Sequence, residues 1–290
     1  MKTLRILGVP EHFNYPFRIL EKEQPFLDQG ATLQWKDESR GSGQMNLALR
    51  DNETDIALLL TESFLKDFEA GSPSKMIGFH VESPLIWGVH VAAGVPSIQL
   101  SDLKHRRFLI SRIGSGSHLM ARVLAKREGW NPEELTFQTV SNMDGAKAAM
   151  DQGDRGIFLW EKYTTAPMVK NGTMKLISEV PSPWPCFVMV ASDNALKEFG
   201  DLIFQIRDRV YEISKSLTES AETPASLASF YGLEEAEIEK WLKQTKWCTE
   251  STLSRKELEK AIKTMRELGI LNSELGLESF LVDGRLSILE

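Results

Sequence analysis

Gly41-Ser42-Gly43 and Gly114-Ser115-Gly116 each separate a strand-like run from a helix-like one, about seventy residues apart in a chain of 290. The first N–H groups of a helix lack intrahelical partners and sit at the positive end of its dipole, so a carboxylate, sulfonate or phosphate is held there readily. Glycine at such a turn lets a ligand come close to the backbone. Two turns in matching contexts predict an anion pocket with two walls. Beside the first, Ser39, Ser42 and Gln44 can add side-chain hydrogen bonds and Arg40 a charge-assisted one. The plainer alternative has Arg40 in solvent and Ser42 as a simple cap. Beside the second, Ser111, Arg112, Ser115, Ser117 and His118 crowd a helix start, with His118 either a ligand contact or a surface residue of the first turn.

Three other segments follow strand-like runs and qualify as ligand contacts. Glu11, His12, Asn14 and Tyr15 can frame a ligand with aromatic and polar groups, unless Phe13 or Tyr15 simply staples the following helix. Thr61, Glu62 and Ser63 come next; a buried Glu62 needs a partner or a raised pKa, whereas a surface Glu62 needs neither. Trp160 and Glu161 precede Lys162, so the indole either stacks on a planar ligand or joins the core, and the acid and base either read polar groups or form a solvated pair. His80, Trp87 and His90 flank an expected crossing between lobes, and Trp184 lies among prolines that stiffen the return.

Catalytic spacing is sparse. The five histidines form no HxxxH or HExxH pattern, and there is no GxSxG elbow. Gly114-Ser115-Gly116-Ser117 lacks the Lys-Ser/Thr ending of a phosphate loop. No metal or cofactor is expected. Proton transfer through His12, Glu62, His118 or Glu161 stays open, because acid–base pairs assemble in space and leave no spacing signature.

Delivering both turns to a ligand requires two similar α/β units. Residues 4–9, 13–28, 32–38, 44–51 and 55–60 read as strand, helix, strand, helix, strand, the rhythm of a parallel sheet covered by helices. Ile56-Ala57-Leu58-Leu59-Leu60 is apolar without alternation, as a central strand should be. Extended stretches at 75–79 and 86–92 lead to Gly94-Val95-Pro96, the expected crossing. The rhythm then repeats at 107–111, 117–128, 136–140, 144–152 and 156–159. Residues 186–191 are read as the return to the first lobe, and the remainder as amphipathic helices. Leu202, Ile206, Val210, Ile213 and Leu217 share one face. Thr223-Pro224 and Ser254-Arg255-Lys256-Glu257 read as helix starts and Gly269 as a stop, while 278–290 stays unassigned.

Composition agrees with a globular protein: 42% hydrophobic, 26% charged, and no apolar run near the roughly eighteen residues of a membrane span. A net charge of −7 argues against a nucleic-acid surface, the Lys104-His105-Arg106-Arg107 patch notwithstanding. Cys186 and Cys248 form no CxxC pair and suit a reducing compartment. If Met1 is the natural start, the absence of a secretory signal predicts a cytoplasmic protein.

Ser39-Arg40-Gly41-Ser42-Gly43-Gln44, Asp102-Leu103-Lys104, Ser111 through His118, and Phe158-Leu159-Trp160-Glu161-Lys162-Tyr163-Thr164-Thr165 together resemble type II periplasmic-binding-protein-like proteins, near the sulfonate, nitrate and thiamine-precursor group. The last two motifs resemble a leaderless subgroup known in bacteria and yeasts. The resemblance implies a two-lobe α/β fold with a helical C-terminal extension, lobe 1 being 1–91 plus 190–290 and lobe 2 being 92–189. It implies a small-molecule binder, related to ABC-transporter substrate-binding components, that closes over an anionic or polar ligand. Relatives that are cytoplasmic enzymes of vitamin or cofactor biosynthesis supply the alternative, although the cysteine-rich motif of the thiamine pyrimidine synthase is missing here. A third reading has the C-terminal helices dock a protein partner.

Overall fold

The computed structural model of the chain describes residues 1–96 and 99–290. They divide into two compact units, Met1–Ser83 with Pro183–Glu290, and Pro84–Ser182.

The first unit opens with β1 (Lys2–Gly8), α1 (Tyr15–Glu23), β2 (Ala31–Asp37), α2 (Ser42–Arg50), β3 (Ile56–Leu60), α3 (Thr61–Glu69) and β4 (Ser74–Val81). Helix α1 is shorter than 13–28 because Gln24 takes a left-handed conformation at φ 46°. Its side chain then clips onto β2, donating to Leu33 O at 2.7 Å and accepting from Leu33 N at 2.8 Å. Ile56 to Leu59 are fully buried, as an apolar strand with helices on both faces must be.

The second unit contains β5 (Ile86–Ala92), β6 (Phe108–Ile110), α4 (Gly116–Arg127), β7 (Phe137–Thr139), α5 (Met143–Asp151), β8 (Ile157–Glu161), α6 (Ala166–Lys170) and β9 (Met174–Pro181). The chain re-enters the first unit with β10 (Phe187–Ser192), followed by α7 (Asp193–Phe199), α8 (Asp201–Glu219), α9 (Thr223–Tyr231), α10 (Glu235–Leu242), β11 (Thr252–Ser254), α11 (Arg255–Glu267), α12 (Leu277–Phe280) and β12 (Ser287–Leu289).

The first sheet has order β2-β1-β3-β10-β4 and the second β7-β6-β8-β5-β9. In each, three parallel strands are followed by one antiparallel strand whose neighbours lie far away in sequence. Strand pairing moves the expected boundaries. β5 bonds to β8 and β9, so 84–91 belong to the second unit, and β10 bonds to β3 and β4, so 183–189 belong to the first. The crossing is therefore at Ser83–Pro84, and Gly94-Val95-Pro96 only follows β5.

Helix α8 buries Ile203, Ile206, Val210 and Ile213, with Leu202 and Leu217 at the margins of that face. Tyr211 donates to Phe79 O at 2.9 Å, which a residue other than glycine at 78 would obstruct, since a Cβ there would sit 2.2 Å from the Tyr211 oxygen. Ser254 caps α11 by accepting from Glu257 N. Thr223 does not cap α9; it lies inside that helix and donates to Leu217 O at 2.7 Å. The unassigned tail supplies α12 and then β12, which pairs in parallel with β11. Among the described residues, no helix is long and apolar enough to cross a membrane.

Candidate functional site

In parallel α/β sheets the groups that meet ligands come from the carboxyl ends of the strands. In the second unit, β6 ends at Ile110 and leads into the turn before α4. Gly114 has φ +80°, a conformation that favours glycine. Its amide donates to His118 Nδ1 at 2.9 Å, so Nδ1 is the accepting nitrogen and the neutral ring carries its proton on Nε2. Ser115 is the N-cap and accepts from His118 N at 3.4 Å. Ser117 Oγ accepts from Ser111 N at 3.0 Å and lies 3.1 Å from Ser115 Oγ. Arg112 N approaches Ser115 Oγ at 3.5 Å. Ser111, Ser115, Ser117 and His118 are all buried, and the His118 ring meets Phe137 edge-on at 4.4 Å. The expected cluster is thus one cross-linked turn at the start of a twelve-residue helix, with Gly116 as its first helical residue.

The first unit differs in detail. Gly41 adopts φ 79°, ψ −172° ahead of α2, and no side chain caps that helix. Ser42 does not cap either. Its hydroxyl accepts from Leu60 N at 2.9 Å and ties the turn to the end of β3. Arg40 is exposed and pairs with Glu38 at 2.6 Å. Hydrogen bonds from Arg40, against the cost of burial, hold the Glu38 carboxyl below its ordinary range. Ser39 is exposed, while Gly43 and Gln44 are half-buried.

The remaining segments combine buried and half-buried residues. His12 is 1% exposed, stacks on Phe13 and meets the Trp241 ring at 4.4 Å, and burial lowers its pKa to about 3. Asn14 spends its amide on Val9 O at 2.8 Å, and Tyr15 packs against Phe230 and Tyr231. Glu11 stands half-buried ahead of them. Thr61, Glu62 and Ser63 form the first turn of α3. Thr61 donates to Pro185 O at 2.6 Å, and Ser63 lies 3.2 Å from Asn46 Nδ2. Glu62 is 1% exposed, and Trp184 Nε1 donates to its Oε2 at 2.7 Å; burial pushes its pKa up to about 7.

Trp160 stacks on Phe158 at 5.4 Å. Glu161 forms no solvated pair with Lys162, which bonds Glu179 at 2.7 Å. It is 3% exposed, accepts from Thr164 N and Oγ1 at 2.6 and 2.7 Å, and burial raises its pKa to about 7. His80 and His90 are packing residues, bonded to Phe13 O and to Thr165 Oγ1.

Sequence reasoning missed Trp184 as the partner of Glu62, Glu38 as the partner of Arg40, and Thr164. It also missed the C-terminal rings Tyr231 and Trp241 beside His12. Thr164 was discoverable, being three residues beyond an acid at a strand end. Trp184 lies 122 residues from Glu62 and left no local signal. Among the described residues no group of three or more His, Cys, Asp or Glu is placed to hold a metal.

Residues 87–180 match a family model described as Ca3427-like PBP. No curated protein matches the sequence. Among solved structures, the Candida albicans CA3427 gene product, described as defining a family with the generic periplasmic-binding-protein fold, superposes with a TM-score of 0.87 at 24% identity, over 100% of this chain and 98% of that one. The alkanesulfonate-binding protein SsuA of Xanthomonas axonopodis pv. citri, solved with MOPS, gives 0.76 at 19% identity over 100% and 99%. PhnD1 of Prochlorococcus marinus, solved with methylphosphonate, gives 0.63 at 14% over 93% and 99%. The chain therefore has the α/β fold of the periplasmic binding proteins, and its second unit carries the match to the Ca3427-like group.

Proposed function

We propose that this protein binds a small oxyanion, of the sulfonate or phosphonate kind, or a polar molecule with such a group. The observation that carries the reading is the turn before α4: a left-handed Gly114 and a serine-capped helix start, cross-linked by Ser111, Ser117 and His118. A helix of this length offers unpaired amides and a positive dipole end to an anion. The Gly41-Ser42-Gly43 turn of the first unit opens α2 with no side-chain cap, but it follows the edge strand β2, whose counterpart by strand order is β7 and not the β6 that precedes the α4 turn. The ligands named for the sulfonate- and phosphonate-binding neighbours support the same chemistry.

The activity proposed is binding without turnover. A thermal-shift panel of sulfonates, phosphonates and uncharged analogues should select anions. Gly116→Leu, which places a side chain where the ligand meets the backbone, should abolish the shift while leaving the circular-dichroism spectrum unchanged. An unchanged shift in a folded Gly116→Leu protein would remove the α4 turn from the site. Chemical conversion of the selected molecule would favour the enzyme alternative.

A further inference from the structure

Among the described residues six buried side-chain polar atoms have no hydrogen-bond partner, and four of them surround one short turn, His12–Asn14, which follows β1. His12 Nε2 and Asn14 Oδ1 are on the turn itself. Trp241 Nε1 belongs to a ring 4.4 Å from the His12 ring, and His80 Nδ1 to a ring whose Nε2 bonds Phe13 O at 2.8 Å. All four residues are 1% exposed. A buried polar atom without a partner is costly, and several at one place point to a group that the site is built to bond. The turn also sits where ligands meet a parallel sheet, just beyond the carboxyl end of β1 at Gly8.

The hairpin of α9 and α10 covers this turn with rings. Tyr231, the last residue of α9, meets His12 edge-on at 6.3 Å, and Trp241 on α10 meets Phe13 at 5.2 Å. The exposed Phe230 rests on Tyr15 at 5.3 Å. Exposed residues flank the hairpin on both sides, 220–222 before α9 and Lys243 and Gln244 after α10. A helix pair fastened by ring contacts between two exposed joints is able to open locally while the sheet beneath it stays folded.

We propose that α9 and α10 form a flap over a separate binding site on the turn after β1, which takes a small uncharged ring bearing a hydrogen-bond donor beside an acceptor, as in an aromatic carboxamide. Trp241 Nε1–H donates to the acceptor, His12 Nε2 accepts from the donor, and the ring lies among Phe13, Tyr231 and Trp241. Charge is disfavoured because the walls are aromatic and burial keeps His12 neutral, its pKa lowered to about 3. The site lies within the first unit and does not depend on the oxyanion turn of the second.

The test uses the full chain with benzamide as the probe and benzoate as its charged control. Benzamide should raise the melting temperature and slow amide hydrogen exchange in 223–242, and benzoate should do neither. Trp241→Phe and His12→Phe each keep a ring but remove one polar atom; each should weaken benzamide binding about tenfold or more. Gly116→Leu should bind benzamide as wild type does. Benzamide without effect on wild type, an equal effect of benzoate, or full affinity in a folded Trp241→Phe or His12→Phe protein would overturn the site, as would loss of benzamide binding in Gly116→Leu. Should neither ring variant fold, exchange in wild type decides: slowing in 223–242 supports the flap, and slowing confined to other segments overturns it.

Discussion

Gly41 occupies a backbone region that is essentially restricted to glycine, and a Cβ added there would meet nothing within 4 Å. Gly41→Ala is therefore a pure backbone test, expected to cost about 1–3 kcal/mol in urea denaturation, whereas Gly43→Ala inside α2 should be neutral or slightly stabilising. Glu62 gives the residue-scale pH prediction. Its folded pKa of about 7 lies above the ordinary 4.5, so its contribution to stability is complete below pH 4.5 and is lost as pH rises through 7. Wild type should lose up to roughly 3 kcal/mol relative to Glu62→Gln across that window, and parallel profiles would show the acid to be ionised throughout. Removing the donor with Trp184→Phe should destabilise the protein by about 1–3 kcal/mol. Residue roles were the least legible part of the sequence. Types and positions flagged Glu62, His12 and Arg40, but whether each met water, a ring or a counter-ion depended on partners such as Trp184 and Trp241 from distant segments.

The elements were more legible because their signals are local. The apolar run 56–60 became β3, the repeat of turn, short helix and strand at 142–159 became α5 and β8, and Ser254 capped its helix. Elements went unassigned where local pattern is weak. β9 is half-exposed and mixed in composition, β12 is three residues long, and α3 begins directly at the end of β3 with no intervening turn residue. At this scale the α4 cap is the part to test. Ser115→Ala removes the acceptor for His118 N and a neighbour of Ser117, so it should cost about 1 kcal/mol in thermal or urea unfolding and weaken anion affinity.

The two units share a strand order, yet only the second is continuous in sequence. Its ends are joined by the hydrogen bond from Ser182 N to Leu85 O at 2.9 Å, and Ser182 Oγ accepts from Leu85 N at 3.0 Å. Residues 84–182 should accordingly fold alone with a cooperative thermal transition, and a non-cooperative melt would show that the unit depends on the rest of the chain. The repeat of two α/β halves was readable from the doubled strand–helix rhythm. The boundaries were not, because the antiparallel strand of each sheet is contributed by a segment remote in sequence from its neighbours. In this reading the whole chain holds a small oxyanion at the α4 turn. Native mass spectrometry of protein purified from cells, followed by denaturation to release and weigh any retained molecule, tests it directly. The claim predicts one sulfonate, phosphonate or similar anion per chain, absent from Gly116→Leu. A retained molecule without an anionic group, or equal retention by the folded variant, would contradict it.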